Sequence, residues 1–143
     1  MTTQQMSEQM IREQGWTPVT HNMGPFMDLL SPIWSKGGGA DKEYGVLITE
    51  KHLNINGVAH GGLLMSLVDQ IISLVINDHY GPTNMSTIDM STHFISPAAH
   101  NDWVIASVQI KQRTRRMVFA TTQLTVGERV VLSGQAIMRL KTS

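Results

Sequence analysis

The sequence predicts an α+β fold in which one long apolar helix packs against an antiparallel sheet of five to six strands. Two observations support this prediction. The run LLMSLVDQIISLVI at 63–76 is apolar over most of its length, as expected of a buried helix. The second half of the chain contains four runs rich in Val, Ile, Thr and Phe, a composition typical of strands. We therefore expect the sheet to wrap around the helix.

The elements follow one another in a clear order. Helical patterns at 4–14 and 25–30 precede a short strand at 31–36, a glycine-rich loop at 36–45 and a strand at 44–53. The long helix is expected from about 58 to 78, with Gly81 and Pro82 as stop signals. Four strands should follow, joined by short turns, at 84–98, 102–114, 116–126 and 129–141.

Length and composition favour one globular domain spanning residues 1–143. The chain has 143 residues, of which 41% are hydrophobic, and its 11 basic residues balance 11 acidic ones. A neutral chain has no broad attraction for nucleic acid or anionic lipid, so we expect neither as a partner. Because the chain has no cysteine, disulfides, thiolate metal sites and a cysteine nucleophile are excluded.

The N-terminus and the apolar run favour a soluble cytoplasmic protein. The residues MTTQQMSEQMIREQGW are polar and lack the apolar stretch of a signal peptide. The run at 63–76 is interrupted by Ser66, Asp69 and Ser73. We expect it to be too short to span a bilayer, so no membrane association is predicted.

The long helix opens on His60-Gly61-Gly62. The first N–H groups of a helix have no partners within it, and the helix dipole makes that end positive. Glycine lets another group approach the backbone closely. Gly61 and Gly62 therefore predict a bare N–H that stabilises a carbonyl oxygen as it becomes an oxyanion. The alternative is that the glycines only allow close packing of helix and sheet, and that His60 is an ordinary capping or core histidine.

Asp69 lies within the most apolar part of the helix. An ionised carboxylate there needs partners because its desolvation is costly, and an acid in such a place is a candidate general base or nucleophile. The alternative is that the helix has one wet face, on which Asp69, Gln70 and Ser73 simply lie.

The spacing between His60 and Asp69 predicts a site shared by two subunits. Nine residues amount to two and a half helical turns and about 13 Å, so the two side chains point to opposite faces of one helix. If both act on the same carbonyl, Asp69 comes from a second subunit. A two-fold dimer then has two equivalent sites.

These residues belong to a longer pattern, Asn54-x-x-Gly57-x-x-His60-Gly61-Gly62-x(6)-Asp69. In this pattern, and in the following STIDMSTHFISPA, the chain resembles the hotdog-fold acyl-CoA thioesterases, above all the PaaI-like branch with the thioesterase superfamily member 2 type. The likeness covers about 44–140 and leaves 1–43 as a helical and loop extension. It implies a hotdog fold, dimers and often tetramers, and hydrolysis of an acyl-CoA thioester with no cofactor beyond the substrate's own CoA.

The resemblance also implies roles for individual residues. Asp69 matches the general base or nucleophile that the partner subunit contributes, and the N–H of Gly61 matches the oxyanion donor. Asn54 and His60 match residues that position the thioester or the water. Thr87 falls where some relatives have a serine that orients the attacking water, and it keeps the hydroxyl while adding a methyl group.

The basic run KQRTRR at 111–116 predicts a site for the phosphates of CoA, because arginine suits phosphate by bidentate contact. We expect Arg115 and Arg116 to take part, with Arg113 as a further candidate. The alternative for each is a solvated turn. The six histidines show no paired ligand spacing, so no metal site is expected.

Two other functions stay open. A hotdog dehydratase or hydratase would use a His and an acid as an acid/base pair, in a pattern unlike the spacing found here. A non-catalytic acyl-CoA-binding module would keep the glycines and an apolar pocket, but it would not need Asp69. The acyl pocket is expected among Leu63, Leu64, Met65 and the strand at 85–95. The joint presence of Asn54, His60 and Asp69 favours catalysis.

Overall fold

A computed structural model describes residues 5–141, which form one antiparallel sheet with a long helix packed against it. The helices are α1 (Glu8–Glu13), α2 (Pro25–Leu30) and α3 (Gly61–Tyr80). The strands are β1 (Thr17–Pro18), β2 (Trp34–Lys36), β3 (Glu43–Leu47), β4 (Met85–Phe94), β5 (Trp103–Arg113), β6 (Met117–Val126) and β7 (Arg129–Leu140). They lie side by side in the order β1-β2-β3-β5-β6-β7-β4.

This architecture confirms the predicted α+β class, with a long central helix and an antiparallel sheet. The described sheet has seven strands, however, where five to six were expected. The unpredicted strand is β1, whose residues Thr17 and Pro18 pair with Ser35 and Trp34 of β2. Two residues are too few to show the alternation that marks a strand in a sequence, so only the pairing reveals them.

Four other elements are shorter than predicted by three or more residues. β2 covers Trp34–Lys36 rather than 31–36, and β4 covers Met85–Phe94 rather than 84–98. α1 covers Glu8–Glu13 rather than 4–14, and residue 4 lies outside the described residues. β3 stops at Leu47 instead of continuing to 53. The chain then forms a short 3-10 turn, because the Thr49 N–H donates to Nδ1 of His52 and the Thr49 hydroxyl accepts from the His52 backbone.

The helix α3 is one uninterrupted helix of 20 residues. His60 is its N-cap, and Gly81, with a φ of 85°, follows its last turn, where the stop was predicted. The helix begins three residues later than expected because the preceding residues form a turn, in which the Asn54 N–H donates to the Val58 carbonyl at 2.7 Å. Nine of its apolar side chains are buried in the main core against the sheet.

The length of α3 corrects one expectation. Twenty residues span about 30 Å, so this helix is long and apolar enough to cross a membrane, contrary to the prediction that the run is too short. Half of that stretch is buried within the protein. A core helix passes the same test of length and composition, so the test carries little weight for α3.

The strand β4 runs along α3 at one edge of the sheet. It pairs with β7 from Met85 opposite Leu140 to Phe94 opposite Leu132. Its other edge has no neighbouring strand within residues 5–141. Phe94 lies against the start of α3, and Thr87 is bonded to the middle of the same helix. β4 therefore links the two groups of residues that carry the predicted chemistry.

A second, smaller cluster holds the N-terminal region against the sheet. Ile11, Trp16, Trp34 and Trp103 are buried together, and the rings of Trp16 and Trp103 meet edge to face with centroids 5.0 Å apart. At Gly45 the absence of a side chain makes room for Trp103, because a Cβ there would overlap its ring. α1 and β2 are thereby anchored to β3 and β5.

Candidate active site

The start of α3 has a free N–H at its first residue, as the sequence predicts, whereas His60 caps the second residue, which was the alternative interpretation of this histidine. Nδ1 of His60 accepts the N–H of Gly62 at 2.9 Å, and the His60 carbonyl accepts the N–H of Leu64. Within residues 5–141 the N–H of Gly61 has no hydrogen-bond acceptor. This donor sits at the positive end of the helix dipole, where it can meet a ligand oxygen.

The two glycines also have the packing role that was left open as an alternative. A Cβ on Gly61 would lie 3.3 Å from the ring of Phe94, and a Cβ on Gly62 would lie 3.1 Å from the imidazole of His60. Both contacts are tight but involve the ends of side chains. Close packing and an accessible backbone therefore coexist at the same two residues.

Asn54 shapes the turn that leads into the helix. Its Oδ1 accepts the N–H groups of Asn56 and Val58, at 2.9 and 3.3 Å, and its backbone is paired with Val58 and Gly57. The side-chain oxygen is thus used locally. Its amide nitrogen has no acceptor within the part of the chain that the structure describes, so it stays available to a ligand.

A buried histidine that the sequence analysis missed supports this turn. His52 is 1% exposed, its Nδ1 accepts the Thr49 N–H, and its Nε2 donates to the Leu30 carbonyl at 2.8 Å. Its own carbonyl accepts the N–H of His60. Burial lowers the pKa of the His52 imidazole, because the charged form would lose hydration. No spacing or motif in the sequence marks this residue.

Asp69 and Thr87 lie together, on α3 and β4. The Thr87 hydroxyl donates to Oδ1 of Asp69 at 2.5 Å, so the acid within the apolar helix has found a polar partner. Asp69 also lies on a half-exposed polar stripe of α3 that includes Gly62, Ser66 and Ser73. Both interpretations of Asp69 are therefore compatible with the structure: it has a specific partner, and it lies on a wet helix face.

The structure does not bring Asp69 to Gly61 within one chain. Both residues are on the same continuous helix, eight positions and about 12 Å apart. Asn54, His60, Gly61 and Gly62 gather at the helix start, whereas Asp69 and Thr87 gather at its middle. One chain thus presents two separate groups of predicted site residues.

The predicted basic residues lie around the β5–β6 hairpin, at the Met85 end of β4. Arg116 borders a hollow of about 550 Å³ together with Ser86 and two cations that the sequence analysis missed, Arg139 and Lys141. None of these three cations has an ion pair within residues 5–141. Arg139 lies near the end of a different strand, β7, and Lys141 directly follows that strand. Only the register of the sheet places these two residues near Arg116.

The other two predicted arginines are placed differently. The Arg113 guanidinium lies over the ring of Tyr80, 4.5 Å from its centroid. Arg115 is exposed in the turn between β5 and β6. Among residues 5–141, no group of three or more histidine and carboxylate side chains lies close enough to hold a metal ion.

Two hollows flank the start of α3. One, of about 330 Å³, is bordered by Gly61, Leu64, Phe94, Ile95 and the loop that follows β4. The other, of about 420 Å³, lies between α2 and α3 and is bordered by His60, Gly62 and Ser66. A ligand bound at the helix start has room on either side, within the size range of small-molecule pockets of about 300–1,000 Å³.

Comparison with known proteins identifies the family. Residues 56–133 match the thioesterase superfamily, which is more than half of the chain, so the protein belongs to this family and is a thioester hydrolase. A Pseudomonas aeruginosa protein with the provisional name of an esterase is 31% identical over 129 residues, covering 89% of this chain and 96% of the relative. Mouse acyl-coenzyme A thioesterase 13 is 28% identical over 78 residues, covering 54% of this chain and 56% of the relative.

Solved structures share the fold. Mouse thioesterase superfamily member 2 matches with a TM-score of 0.74 at 23% identity, covering 83% of this chain and 90% of that one. A hypothetical thioesterase protein from Streptococcus pneumoniae, solved with coenzyme A, matches with a TM-score of 0.74 at 19% identity, covering 82% and 91%. The predicted hotdog fold and the resemblance to the thioesterase superfamily member 2 type are confirmed.

Proposed function

We propose that this protein hydrolyses an acyl-CoA thioester to a carboxylic acid and CoA, in the cytoplasm and without a cofactor. The observation that carries the proposal is the bond between Thr87 and Asp69, which joins an acid to a hydroxyl beside a helix whose first N–H is free. An acid and a hydroxyl in contact can hold and deprotonate a water. A module that only binds acyl-CoA has no need of this pair.

The reaction consumes one water and needs only groups of this chain. The Gly61 N–H and the dipole of α3 polarise the thioester carbonyl and stabilise the oxyanion. Asp69 either accepts a proton from a water held by Thr87, or attacks the carbonyl itself and forms an anhydride that water then opens. In both routes the C–S bond breaks and the CoA thiolate takes up a proton.

The proposed site is shared by two subunits. A rigid helix keeps Asp69 about 12 Å from Gly61, so we infer that the partner subunit supplies the acid. The free edge of β4 supports this inference, since an unpaired strand edge is ready to pair with another strand. If two copies of β4 pair antiparallel about an axis between Met90 and Ser91, the partner's Thr87 comes opposite Phe94. Phe94 is the residue that touches Gly61.

The phosphates of CoA are proposed to bind the basic hollow of Arg116, Arg139 and Lys141, with Arg115 and Arg113 nearby. These cations have no ion pairs among the described residues, and the chain as a whole is neutral. A local excess of positive charge of this kind attracts a multiply charged anion. The name of mouse acyl-coenzyme A thioesterase 13 and the coenzyme A in the Streptococcus pneumoniae structure support CoA as the carrier.

Thiol release from a panel of short, long and aromatic acyl-CoA esters tests the proposal. Because the chain has no cysteine, a thiol-reactive dye reads the product without background. We expect wild-type hydrolysis and a loss of about 10²–10⁴-fold in Asp69→Asn, the usual contribution of a general base.

Circular dichroism and the oligomeric state of Asp69→Asn serve as controls for folding. Binding of an ester without hydrolysis by the wild type would instead favour a binding module. Hydration of an enoyl-CoA, read by loss of its conjugated absorbance, would favour the hydratase alternative.

A further inference from the structure

We propose that the hollow between α2 and α3 receives the acyl group of the substrate, and that Phe26 determines which acyl groups fit. This inference rests on the proposed thioesterase function. It assigns a substrate-binding role to α2, an element of the N-terminal region for which the sequence predicted no role.

The hollow has the composition that an acyl thioester needs. Its apolar border comes from three different parts of the chain: Phe26 and Leu30 of α2, Leu53 of the preceding turn and Leu63 of α3. The same hollow borders His60 and Gly62 at the helix start. An acyl chain lying there buries apolar surface, which favours binding, while its carbonyl stays next to the polar groups of the helix start.

α2 exposes apolar side chains to solvent at and near this hollow. Phe26 is 59% exposed and Leu29 is 69% exposed, although Met27 between them is buried. Only Phe26 of the two exposed side chains borders the hollow. The far end of α2 is held in place, because the Leu30 carbonyl accepts from Nε2 of His52 and the Ser31 carbonyl accepts from Nζ of Lys51. Because α2 is held in place, the ring of Phe26 forms a fixed wall of the hollow, and this wall can limit the size of the acyl group that binds.

The hollow also lies on the side of α3 that carries the acid. Gly62 and Ser66 border it, and they share one stripe of α3 with Asp69, at helical spacings of four and three. The second hollow, beside Phe94 and Ile95, is bordered from α3 by Gly61 and Leu64, which lie off that stripe. In the proposed dimer the partner's acid approaches the helix start on the side of Phe94, which borders the second hollow, so the hollow beside α2 is left free for the acyl group.

A chain-length profile of three variants tests the inference. We expect Phe26→Ala to change the ratio of kcat/KM for long over short acyl-CoA esters by about tenfold, within the range seen when a hydrophobic pocket changes size. Leu29→Ala is the matched control, since it removes another exposed apolar side chain from the same helix outside the hollow. Ile95→Ala probes the second hollow, and both controls should keep the wild-type ratio.

Binding keeps the inference testable apart from hydrolysis. A non-hydrolysable acyl-CoA thioether and free CoA are titrated by calorimetry into the wild type and Phe26→Ala. We expect Phe26→Ala to alter the affinity for the thioether and leave that for free CoA unchanged. Equal profiles for Phe26→Ala and Leu29→Ala, a response only in Ile95→Ala, or a wild type that binds the thioether no better than free CoA would each overturn the inference. Failure of the wild type to hydrolyse any ester, with these binding differences intact, would overturn the proposed reaction alone.

Discussion

The start and the middle of α3 differ in what each can offer a thioester. The start has a free backbone donor at Gly61, two hollows for a ligand and no carboxylate. The middle has the carboxylate of Asp69 bonded to Thr87, and the basic hollow lies beyond it along β4. One end can stabilise developing negative charge, and the other can activate a nucleophile.

The comparison shows that one stiff helix keeps the backbone donor of Gly61 apart from the carboxylate of Asp69. Eight helical residues fix a separation of about 12 Å, and no change of side-chain rotamer closes it. In the proposed dimer a second copy of the chain would supply what the first lacks, because a two-fold pair can place each group of residues opposite its complement. The following experiments act on one group at a time.

Gly61→Pro should have the largest effect after Asp69→Asn, because it removes the free N–H at the start of α3. Proline is well tolerated at the first position of a helix, and His60 already has the extended conformation, with ψ of 135°, that a following proline requires. We expect kcat to fall by about 10²–10³-fold, the usual loss when one oxyanion donor is removed.

Gly61→Ala is the matched control for this proline. It places a Cβ 3.3 Å from the ring of Phe94, a side-chain end that can shift, and it keeps the N–H. Its kcat should stay within severalfold of the wild type. Equal activity of the proline and alanine variants, both folded, would remove Gly61 as the donor.

Mixed dimers of Gly61→Pro and Asp69→Asn test whether the two groups act across subunits. Random pairing makes half of the dimers mixed, and each mixed dimer has one intact site of two, so about a quarter of wild-type activity should return. The two variants are co-expressed with different tags, and thiol release is measured. If Gly61 and Asp69 act within one subunit, mixing restores nothing.

Arg139→Ala should have a moderate effect confined to substrate binding. Removing one exposed cation from the proposed phosphate site should raise KM for acyl-CoA by about threefold to tenfold and leave kcat unchanged. It should also weaken the salt dependence of KM. Lys111→Ala removes an exposed cation on β5 outside the basic hollow and should change neither. A matching rise of KM in both variants would show only the effect of net charge.

The smallest expected effect is the contribution of His52, in the turn that precedes α3, to the pH dependence of the free energy of unfolding. Burial lowers the pKa of His52 from its ordinary value of 6.5, so below pH 6.5 the unfolded chain binds a proton that the folded protein does not. The contribution of neutral His52 is therefore complete above pH 6.5 and is lost as the pH falls towards its folded pKa.

Urea unfolding of wild type and His52→Gln between pH 7.5 and 5.5 measures this loss. Glutamine keeps a donor and an acceptor but does not titrate, and the other five histidines are present in both proteins. The free energy of unfolding should fall more steeply with decreasing pH in the wild type. Parallel declines would show that His52 is not responsible.

Much of the local structure of the candidate site could be predicted from the sequence, because its signals are local. The glycines at 61 and 62 mark a helix start with an accessible backbone, and the acid at 69 contradicts its apolar surroundings. Gly81 marks the helix end. Each of these signals lies within a few residues of the element it defines, so periodicity and capping rules were sufficient.

Tertiary structure alone decided which distant residues meet. Thr87 bonds to Asp69, and Arg139 borders one hollow with Arg116, because of the packing and register of β4, β7 and β6, which no single stretch of sequence contains. The buried His52, the two-residue strand β1 and the wall that Phe26 gives to the hollow carry no local signal for the same reason. A helix is specified by contacts three and four residues apart, whereas sheet neighbours and pocket walls are chosen by the packing of the whole chain.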